Sequence, residues 1–464
     1  MNQLLEELKS IVGPKGWTDD PDGLQPHVTE WRGRFTGKTP LMLMPASTSE
    51  VARIVATCAE AGIGIVPQGG NTGMCAGGIP DDTGTQVLVS MARMNRIRNI
   101  DADNYSIEVD AGCVLQTIQE AALDANRFFP LSLGAEGSCQ IGGNIATNAG
   151  GLNVIRYGTT RALVLGLEVV LADGTVLSGL RSLRKDTAGY DLKQLFIGSE
   201  GTLGIITGAA LRLFPGPGAV STALVAVPSS GTSVSLLGEL QTHFPERVQT
   251  FELVSDYVFG LVERHIPDAA LPFAHDYPWY VLLEVATGDG TGRLEDVLMD
   301  AIENELVLDA VIAKNSAEVE NLWRLRHSIS DAERQAGKGL KHDISVPVSR
   351  MQEFLLRGEI LLKELRPDAT LVAFGHVGDG NLHYNVSLPH SVDPEEFSRE
   401  GDRITGAIYD LVAELGGSFS AEHGVGQLKR AYLPKYRSGP EYQLMRTLKK
   451  TLDPANILNP GKVI

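Results

Sequence analysis

Apolar positions in the first half of the chain switch between helical spacing and short strand-like runs. Residues 47–62 repeat apolar side chains at helical intervals, with Ser47 and Glu50 fitting a capping box and Gly62 a stop signal. The run GIGIVPQ follows at once and predicts a strand. An Asp-Gly pair inside residues 165–179 predicts a hairpin. The first half therefore has the pattern of an α+β domain with mixed short strands.

The second half resumes the alternation after a break rich in Pro and Gly, PGPGAVS at 215–221. Three strand-like runs, VSTALVAVP, WYVLLEVATG and LVAFGHVG, accompany an amphipathic helix pattern, EDVLMDAIENELV. We predict an α+β fold in three parts: a first domain at 1–217, a second domain with an antiparallel sheet at 218–410, and a C-terminal helical segment at 411–464.

Composition limits the class of protein further. A chain of 464 residues with 43% hydrophobic and 21% charged residues has the composition of an ordinary globular protein of two or three domains. The net charge of −17 argues against nucleic acid or an anionic membrane as partner, because phosphate would be repelled. Neither a secretion signal nor a membrane-spanning run is visible, and the four cysteines lack metal-type spacing. We expect a cytoplasmic protein.

Glycine clusters carry the first chemical information. GGNTGMCAGGIP at 69–80 and LGAEGSCQIGGNIATNAGGLNVIRYG at 133–158 allow close backbone approach and inward-pointing N–H groups, which favour phosphate. Two such clusters suit an extended dinucleotide, although either alone could be an ordinary glycine-rich loop. Neither is a GxGxxG run between a strand and a helix, so the pattern argues against NAD.

Three motifs in this half, VPQGGNTG, IGGNIATNAGG and IGSEGTLGIIT, resemble the FAD-binding domain of the vanillyl-alcohol oxidase and p-cresol methylhydroxylase (PCMH) superfamily. The resemblance covers about residues 38–217 and implies a PCMH-type FAD-binding domain. Members that bond the flavin covalently carry histidine where this chain has Asn71, so we predict non-covalent FAD. The implied FAD contacts are Pro67, Gln68, Gly69, Gly70, Asn71, Thr72, Gly73, Gly77, Gly78, Gly134, Ser138, Cys139, Gly142, Gly143, Ala146, Thr147, Asn148, Gly150, Gly151, Tyr157, Gly158, Gly201 and Ile206.

The segment GHVGDGNLHYNV at 375–386 places two histidines around a turn. If Asp379 and Gly380 form a two-residue hairpin turn, His376 lies directly opposite His383, with Cβ atoms roughly 5 Å apart. Alternation puts Asn385 on the same face. The pattern is compatible with a chelating pair and also with two half-exposed strand histidines.

A second segment, SFSAEHGVGQLKR at 418–430, sets Glu422 beside His423 among glycines. If Glu422 joins His376 and His383, two imidazoles and one carboxylate form the donor set of catalytic zinc with an open position. His423 is then left as a base. The alternative is that Glu422 and His423 only pair with neighbouring side chains.

Cations and hydroxyls in two further segments could hold an organic anion. NLWRLRHSIS predicts a helix with Arg326 and Ser330 on one face, and LKHDISVP predicts a strand with Lys341 and Asp343 on one side. Arg and Lys would supply the local positive charge that a carboxylate needs in an acidic chain. Taken singly, Arg326 or Lys341 fits a solvated surface cation better than an anion site.

Together these segments resemble the flavin-dependent D-2-hydroxyacid dehydrogenases, with the D-2-hydroxyglutarate dehydrogenases as the nearest group, over almost the whole chain. The resemblance implies Zn²⁺ on His376, His383 and Glu422, and His423 as catalytic base that also contacts the substrate. It further implies substrate contacts from Arg326, Ser330, Lys341 and Asn385. The terminal DPANILNPGKVI implies Asn459 near the flavin and a C-terminal segment that folds back on the FAD domain.

The expected reaction is oxidation of a D-2-hydroxy acid, D-2-hydroxyglutarate first, to a 2-oxo acid. D-lactate or glycolate as substrate stays open, as does a non-catalytic flavoprotein subunit for electron transfer. Manganese or cobalt in place of zinc, quinone or an electron-transfer flavoprotein as acceptor, and a homodimeric state are equally undecided by the sequence.

Overall fold

A computed structural model of the chain describes residues 2–273, 276–288, 292–337 and 339–464. Its α-helices, numbered in chain order, are α1 Asn2–Val12, α2 Pro21–Val28, α3 Thr48–Ala61, α4 Leu115–Asp124, α5 Ile141–Thr147, α6 Val154–Tyr157, α7 Thr160–Leu163, α8 Lys193–Phe196, α9 Ser230–His243, α10 Asp256–His265, α11 Gly292–Glu303, α12 Ser316–His327, α13 Ile329–Ala336, α14 Met351–Leu365, α15 Pro394–Glu414, α16 Leu433–Tyr436 and α17 Pro440–Leu452.

The strands follow the same order of numbering. They are β1 Trp17–Thr18, β2 Met42–Leu43, β3 Ile65–Gln68, β4 Val87–Ser90, β5 Ile97–Asp101, β6 Ser106–Asp110, β7 Val164–Val170, β8 Val176–Gly179, β9 Ile205–Arg212, β10 Val220–Val227, β11 Val248–Ser255, β12 Trp279–Ala286, β13 Asp309–Ile312, β14 Gly339–Leu340, β15 Asp343–Ser345, β16 Thr370–Gly375 and β17 Asn381–Ser387. Helices and antiparallel sheets together confirm the α+β class.

The chain divides into two compact units, and the first combines three segments, 1–150, 158–216 and 422–464. It holds a four-stranded sheet in the order β1-β2-β4-β3, in which β2, β4 and β3 run parallel, and a five-stranded antiparallel sheet in the order β5-β6-β9-β7-β8. The predicted helix α3 begins at Ser47, whose side chain accepts from the Glu50 N–H, and ends at left-handed Gly62. Both cap predictions are confirmed.

The second unit, residues 151–157 and 217–421, is built on one eight-stranded antiparallel sheet. Its order is β13-β10-β12-β11-β16-β17-β14, and β15 also pairs with β17. A cluster of buried apolar side chains joins β10, β11, β12 and β16 to helices α10, α12 and α13, with Tyr280 and Phe259 in edge-to-face contact at 5.3 Å between ring centroids. This core supports the strands that carry the histidines.

The units do not follow the predicted boundaries in two places. Helix α6 belongs to the second unit because Ile155 packs near Gly378 and the Arg156 guanidinium donates to Gln249 at 2.7 Å. Helix α15 continues through Glu414, so the return to the first unit comes at Glu422 and not at 411. The predicted break near 217 coincides with the start of residues 217–421, the longer segment of the second unit.

The C-terminal residues of the first unit extend its parallel sheet. Leu458 bridges Ile65 of β3, where the Ile65 N–H donates to the Ile457 carbonyl at 2.7 Å and the Asn459 N–H donates to the Ile65 carbonyl at 2.8 Å. The Asp453 carboxylate accepts from the N–H groups of Ile457 and Leu458 and pairs with Lys449 at 2.6 Å. These bonds fix the last turn of the chain beside β3.

Candidate active site

A large cleft lies in the first unit, and its wall is mostly backbone. It encloses about 1040 Å³ of space, counting its open mouth, between the Gly69–Gly70 loop, helix α5 and the segment 200–206. Gly70 shows why glycine is required: a Cβ there would lie 2.1 Å from the Ser138 carbonyl oxygen. At Gly142, likewise, a Cβ would approach the Ala111 carbonyl oxygen to 2.9 Å. The bare backbone lets the two glycine clusters meet, and it exposes peptide N–H groups to a ligand.

Many predicted FAD positions line this cleft. They are Pro67, Gln68, Gly69, Gly70, Asn71, Thr72, Gly73, Gly77, Gly78, Cys139, Gly142, Gly143, Ala146, Thr147, Gly201 and Ile206. Other predicted positions lie in the first unit outside this lining: Gly134, Ser138, Asn148, Gly150, Gly158 and Asn459. Gly151 and Tyr157 belong to the second unit, because the short segment around α6 packs there.

Two of the predicted FAD-binding residues use their side-chain amides in hydrogen bonds within the protein. Gln68 is buried, with its amide nitrogen donating to the carbonyls of His27 and Gly78, both at 2.8 Å, and its oxygen 2.7 Å from His27 Nδ1. Asn71, with a left-handed φ of 54°, donates to the carbonyls of Pro26 and Thr29. Both amides therefore anchor helix α2, so these positions offer FAD their backbone and not their side-chain donors.

Two polar side chains that sequence reasoning missed fit an FAD molecule. Gln140 Oε1 and Asn144 Oδ1 are buried in the lining and find no hydrogen-bond partner in the described ranges of the chain. Buried acceptors of this kind normally have a donor, and the hydroxyls and ring N–H of FAD would provide one. Met91, Ile79 and Ile205 add apolar wall. Because Gln140 and Asn144 flank the paired glycines in CQIGGN, the motif itself held the signal.

A half-buried carboxylate organises the segment after His423. Glu200 lines the cleft, and its two oxygens accept the N–H groups of Val425 at 2.7 Å and Gly426 at 2.8 Å. Burial raises the pKa of Glu200, against these two amide hydrogen bonds, which lower it. A Cβ at Gly424 would lie 2.8 Å from Glu200 Oε1, so glycine is needed there too. His423 itself lines the cleft, as expected for a base that acts beside a flavin.

Asn459 lies behind the cleft wall. Its amide donates to the carbonyls of Gly77 at 2.9 Å and Glu200 at 2.7 Å, two residues that do line the cleft. The side chain therefore ties the C-terminal turn to both walls. Its place near the flavin stays a prediction.

The turn between β16 and β17 in the second unit differs from the predicted one. Residues Val377–Asp379 form a turn of 3₁₀-helix, the Asp379 carboxylate accepts from the Asn381 N–H at 3.1 Å, and only Gly380 of the Asp-Gly pair is left-handed. A two-residue type I′ turn needs positive φ at both positions. The pairing shifts as a result, so that Phe374 and not His376 is opposite His383.

The histidines nevertheless lie together. The register moved by two positions, which keeps a side chain on the same face of a strand. The rings of His376 and His383 meet edge to face with centroids 5.9 Å apart, and the ring of Phe374 lies 4.9 Å from that of His383. The predicted neighbours are therefore present, although the predicted register is wrong.

One buried carboxylate connects His376 to Arg326. Glu252 on β11 contacts His376 Nδ1 through Oε1, and its Oε2 accepts a hydrogen bond from Arg326 Nε at 2.7 Å and forms an ion pair with Nη2, also at 2.7 Å. Burial raises the pKa of Glu252, but the charges of His376 and Arg326 and their hydrogen bonds outweigh it and lower the pKa to about 2. The sequence offered no sign of Glu252, because it lies far from both partners along the chain.

A second buried carboxylate, Glu333 on α13, holds two more predicted substrate residues. Lys341 Nζ lies 2.5 Å from Glu333 Oε2, and the Asn385 amide donates to Glu333 Oε1 at 3.0 Å. Asn385 Oδ1 accepts from the His342 N–H at 3.1 Å, so its orientation is fixed. Glu333, like Glu252, was missed by sequence reasoning.

The predicted helix around Arg326 and Ser330 is interrupted. Helix α12 ends at His327 and α13 begins at Ile329, with Ser328 between them. Arg326 is 8% exposed, whereas Ser330 is exposed. The two residues therefore do not share one face of one helix, and that prediction is wrong.

Asp343 fixes the chain immediately before Glu422. It pairs across the sheet with His383, and both its carbonyl and its carboxylate accept from the Ala421 N–H, at 3.3 and 3.2 Å. Glu422 is the next residue, so covalent continuity holds its backbone close to Ala421. Within the first unit, Glu422 packs against Gly150, where a Cβ would come within 2.7 Å of its carboxylate.

The donor types of these residues suit a divalent metal. Glu252 occupies Nδ1 of His376 and so leaves Nε2 as the ligand atom, the arrangement in which metal-binding histidines are usually oriented. A second imidazole, His383, is its neighbour. With a carboxylate this set fits zinc, and it fits manganese or cobalt as well.

Comparison with known proteins places these features in a family. Residues 39–179 match the FAD binding domain family, and residues 217–463 match the C-terminal domain of FAD linked oxidases. In the described residues, no helix is both long and apolar enough to cross a membrane.

Similar proteins extend over nearly the whole chain. A mitochondrial D-2-hydroxyglutarate dehydrogenase of Bos taurus is 40% identical over 469 residues, 99% of this chain and 83% of the relative. A mitochondrial protein of Schizosaccharomyces pombe, named as a D-lactate dehydrogenase, is 34% identical over 485 residues, 100% of this chain and 90% of the relative. The structure of p-cresol methylhydroxylase with substrate bound is similar with a TM-score of 0.79 and 16% identity, over 100% of this chain and 96% of that one, which confirms the PCMH-type fold. The chain therefore belongs to the FAD-linked oxidases, in the group of FAD-dependent enzymes that contains the D-2-hydroxyglutarate dehydrogenases.

Proposed function

We propose that this enzyme oxidises a D-2-hydroxy acid, D-2-hydroxyglutarate in the first place, to the corresponding 2-oxo acid with FAD and a divalent metal, zinc for preference. The observation that carries the proposal is the group of substrate-type residues in the second unit. Arg326, Lys341 and Asn385 are each held by a buried carboxylate, and one of those carboxylates also orients His376. Family membership supplies the reaction class.

Two cations favour a substrate with two carboxylates. Arg326 and Lys341 are both held by acidic partners, which fixes their positions and partly neutralises their charge. A lactate molecule has one carboxylate, so it would contact only one of these two cations. The arrangement therefore favours a dicarboxylic hydroxy acid over lactate or glycolate.

His376, His383 and Glu422 are the proposed metal ligands, and His423 is the proposed base. When bound, the metal would lower the pKa of the substrate hydroxyl by Lewis acidity, and FAD would accept the hydride from the adjacent carbon. His423, which lines the flavin cleft, takes the hydroxyl proton. Asn385 and the exposed Ser330 would add hydrogen bonds to the substrate, and Arg326 and Lys341 hold its carboxylates. Glu200 keeps the segment after His423 in place.

FAD is proposed to bind without a covalent bond. Asn71 stands where covalently linked members of the superfamily carry histidine, and its amide side chain does not form a covalent bond to the flavin. Acid precipitation of the holoenzyme should release all its yellow colour into the supernatant. Colour that stays with the precipitated protein would contradict the proposal.

The substrate is tested by anaerobic turnover with one acid at a time. We expect D-2-hydroxyglutarate to bleach the oxidised flavin fastest, followed by D-malate, with D-lactate and glycolate slower by at least about tenfold, the loss of one charge-assisted hydrogen bond. D-lactate as the fastest acid would favour the D-lactate dehydrogenase alternative, which the Schizosaccharomyces pombe relative also represents. A flavin that stays oxidised with every acid would favour a non-catalytic electron-transfer subunit.

The acceptor and the location are separate predictions. Electron-transfer flavoprotein and quinone analogues, offered to the reduced enzyme, would distinguish the two candidate acceptors by the rate at which the flavin reoxidises. Cell fractionation would test the expected cytoplasmic location, and sedimentation would test a homodimer.

A further inference from the structure

Glu252 is a charged residue in buried, largely apolar surroundings. It is fully buried in β11, where its neighbours along the strand, Phe251, Leu253 and Val254, are buried apolar residues of the sheet. Each of its oxygens has a separate partner: Oε1 contacts His376 Nδ1, and Oε2 accepts a hydrogen bond from Arg326 Nε and pairs with Nη2. The partners are 124 and 74 positions away in the chain, so the carboxylate joins three distant segments.

Stability does not account for this arrangement. A buried ion pair loses most of its attraction to the desolvation of its members, and apolar residues of similar volume often stabilise a core at least as well. Because Phe251, Leu253 and Val254 beside it are apolar and buried, an aliphatic side chain would pack well at this position. What the carboxylate provides, and an aliphatic side chain does not, is a fixed orientation of its two partners.

On the imidazole side, the carboxylate decides which nitrogen is available. A carboxylate accepts and does not donate, so His376 must carry a proton on Nδ1, and its neutral imidazole then presents a lone pair on Nε2. Carboxylate partners of this kind orient metal-binding histidines and raise their basicity. Without the carboxylate, the ring loses the acceptor that fixes the proton on Nδ1.

On the guanidinium side, the carboxylate uses one edge of Arg326. Nε and Nη2 are bound to Glu252, the face lies 5.1 Å from the ring centroid of Phe374, and Nη1 has no partner in the part of the chain that the structure describes. A substrate carboxylate would therefore be met by a guanidinium that cannot turn. This restricts where the anion binds, not only whether it binds.

We propose that Glu252 is a positioning residue that sets, through one carboxylate, both the metal-binding nitrogen of His376 and the anion-binding edge of Arg326. The inference rests on the proposed function, in which His376 is a metal ligand and Arg326 a substrate contact. It adds that the metal and the substrate carboxylate are held in register by a residue that touches neither.

The variant Glu252→Gln separates the two partners. An amide of the same shape has one accepting and one donating end, so it can accept from His376 or from Arg326 but not from both. We expect the zinc dissociation constant, measured by competition with a chromophoric chelator, to rise about 10- to 100-fold, and the KM for D-2-hydroxyglutarate to rise about tenfold or more. A general loss of structure would lower active-site content and kcat without this joint change.

A matched control comes from the neighbouring strand. Glu284 on β12 accepts from Thr222 Oγ1 at 2.9 Å and Trp323 Nε1 at 2.7 Å, so Glu284→Gln changes a carboxylate of the same sheet that touches no proposed site residue. Zinc affinity and KM should stay at their wild-type values. Because Glu252→Gln leaves a buried guanidinium without its partner and could unfold, the double variant Glu252→Leu with Arg326→Leu is measured as well. Its zinc affinity should fall by the same 10- to 100-fold, since His376 has again lost its carboxylate.

The wild-type protein separates the two possible failures. If wild-type protein binds zinc and is reduced by the hydroxy acid, while folded Glu252→Gln and the double variant keep wild-type zinc affinity, only the role of Glu252 is overturned. If wild-type protein binds no divalent metal and its flavin stays oxidised, the proposed function fails and the inference fails with it.

Discussion

The flavin cleft of the first unit and the histidine site of the second unit are built from opposite materials. The cleft is a backbone surface, in which absent side chains such as those at Gly70 and Gly142 let segments approach and expose peptide N–H groups. The histidine site is a side-chain network, in which the buried carboxylates of Glu252 and Glu333 hold His376, Arg326, Lys341 and Asn385. A backbone site is broken by adding atoms, whereas an ionic site is broken by removing one charge.

The largest effect is expected from removing a ligand in the side-chain site. His376→Ala or His383→Ala should abolish bound metal in elemental analysis, and with it turnover of the hydroxy acid, while FAD content stays unchanged. His390→Ala, an exposed histidine of the same unit, is the matched control and should keep metal and activity. A metal-free variant with full activity would contradict the metal role.

Adding one methyl group should break the backbone site. In Gly70→Ala the new Cβ would overlap the Ser138 carbonyl oxygen, so the two glycine clusters must separate. We therefore expect the FAD content to fall by about tenfold or more. Gly216→Ala adds the same methyl group in open space and should bind FAD normally. Equal FAD absorbance per protein in the two variants would refute the close-approach argument.

The side-chain site also predicts how the stability of the protein depends on pH. The pKa of Glu252 is lowered to about 2, so its ion pairs stabilise the fold above the ordinary carboxyl pKa of 4.5, and this stabilisation is lost as pH falls from 4.5 toward 2. Metal-free Glu252→Gln should be about 2–3 kcal/mol less stable than wild type at pH 7, with a smaller difference at about pH 3. Urea unfolding at both pH values measures it. A difference that does not shrink in acid would mean that the ion pairs do not carry it.

A smaller effect is expected at Glu200, where a carboxylate serves the backbone site. Glu200→Gln keeps one acceptor for the N–H groups of Val425 and Gly426 and loses the other, so the segment after His423 should loosen. We expect kcat to fall by about tenfold with little change in FAD content, as one hydrogen bond to a charged group is lost. Stopped-flow reduction of the flavin separates this from slow product release. An unchanged reduction rate would show that Glu200 does not hold His423 in place.

The two regions also differ in what the sequence predicts of them. Gly70, Gly142 and Asn71 belong to short contiguous motifs, because a backbone cradle needs glycine at fixed local spacing. The ionic partners are non-local: Glu252 reaches Arg326 and His376 across 74 and 124 positions, and nothing near it in the sequence marks it. The order of strands in the sheet brings these distant residues into contact, and a local sequence pattern does not predict that order.

The hairpin of residues 375–386 lies between these cases. Its strands and the proximity of His376 and His383 follow from alternation, which survives a shift of two positions. The register of the hairpin does not follow from alternation. The Asp379 carboxylate and left-handed Gly380 stabilise a turn of 3₁₀-helix that competes with the two-residue turn. The helix break at Ser328 is likewise a tertiary feature, since α12 and α13 pack in the core on both sides of it.

The most direct test of the account is anaerobic reduction of the flavin by D-2-hydroxyglutarate, followed on one preparation as purified, after metal removal by chelation, and after zinc is restored. We expect rapid bleaching of the oxidised flavin absorbance, loss of bleaching without metal although FAD remains bound, and recovery with one equivalent of zinc per site. Bleaching at the same rate in the metal-free protein would contradict it.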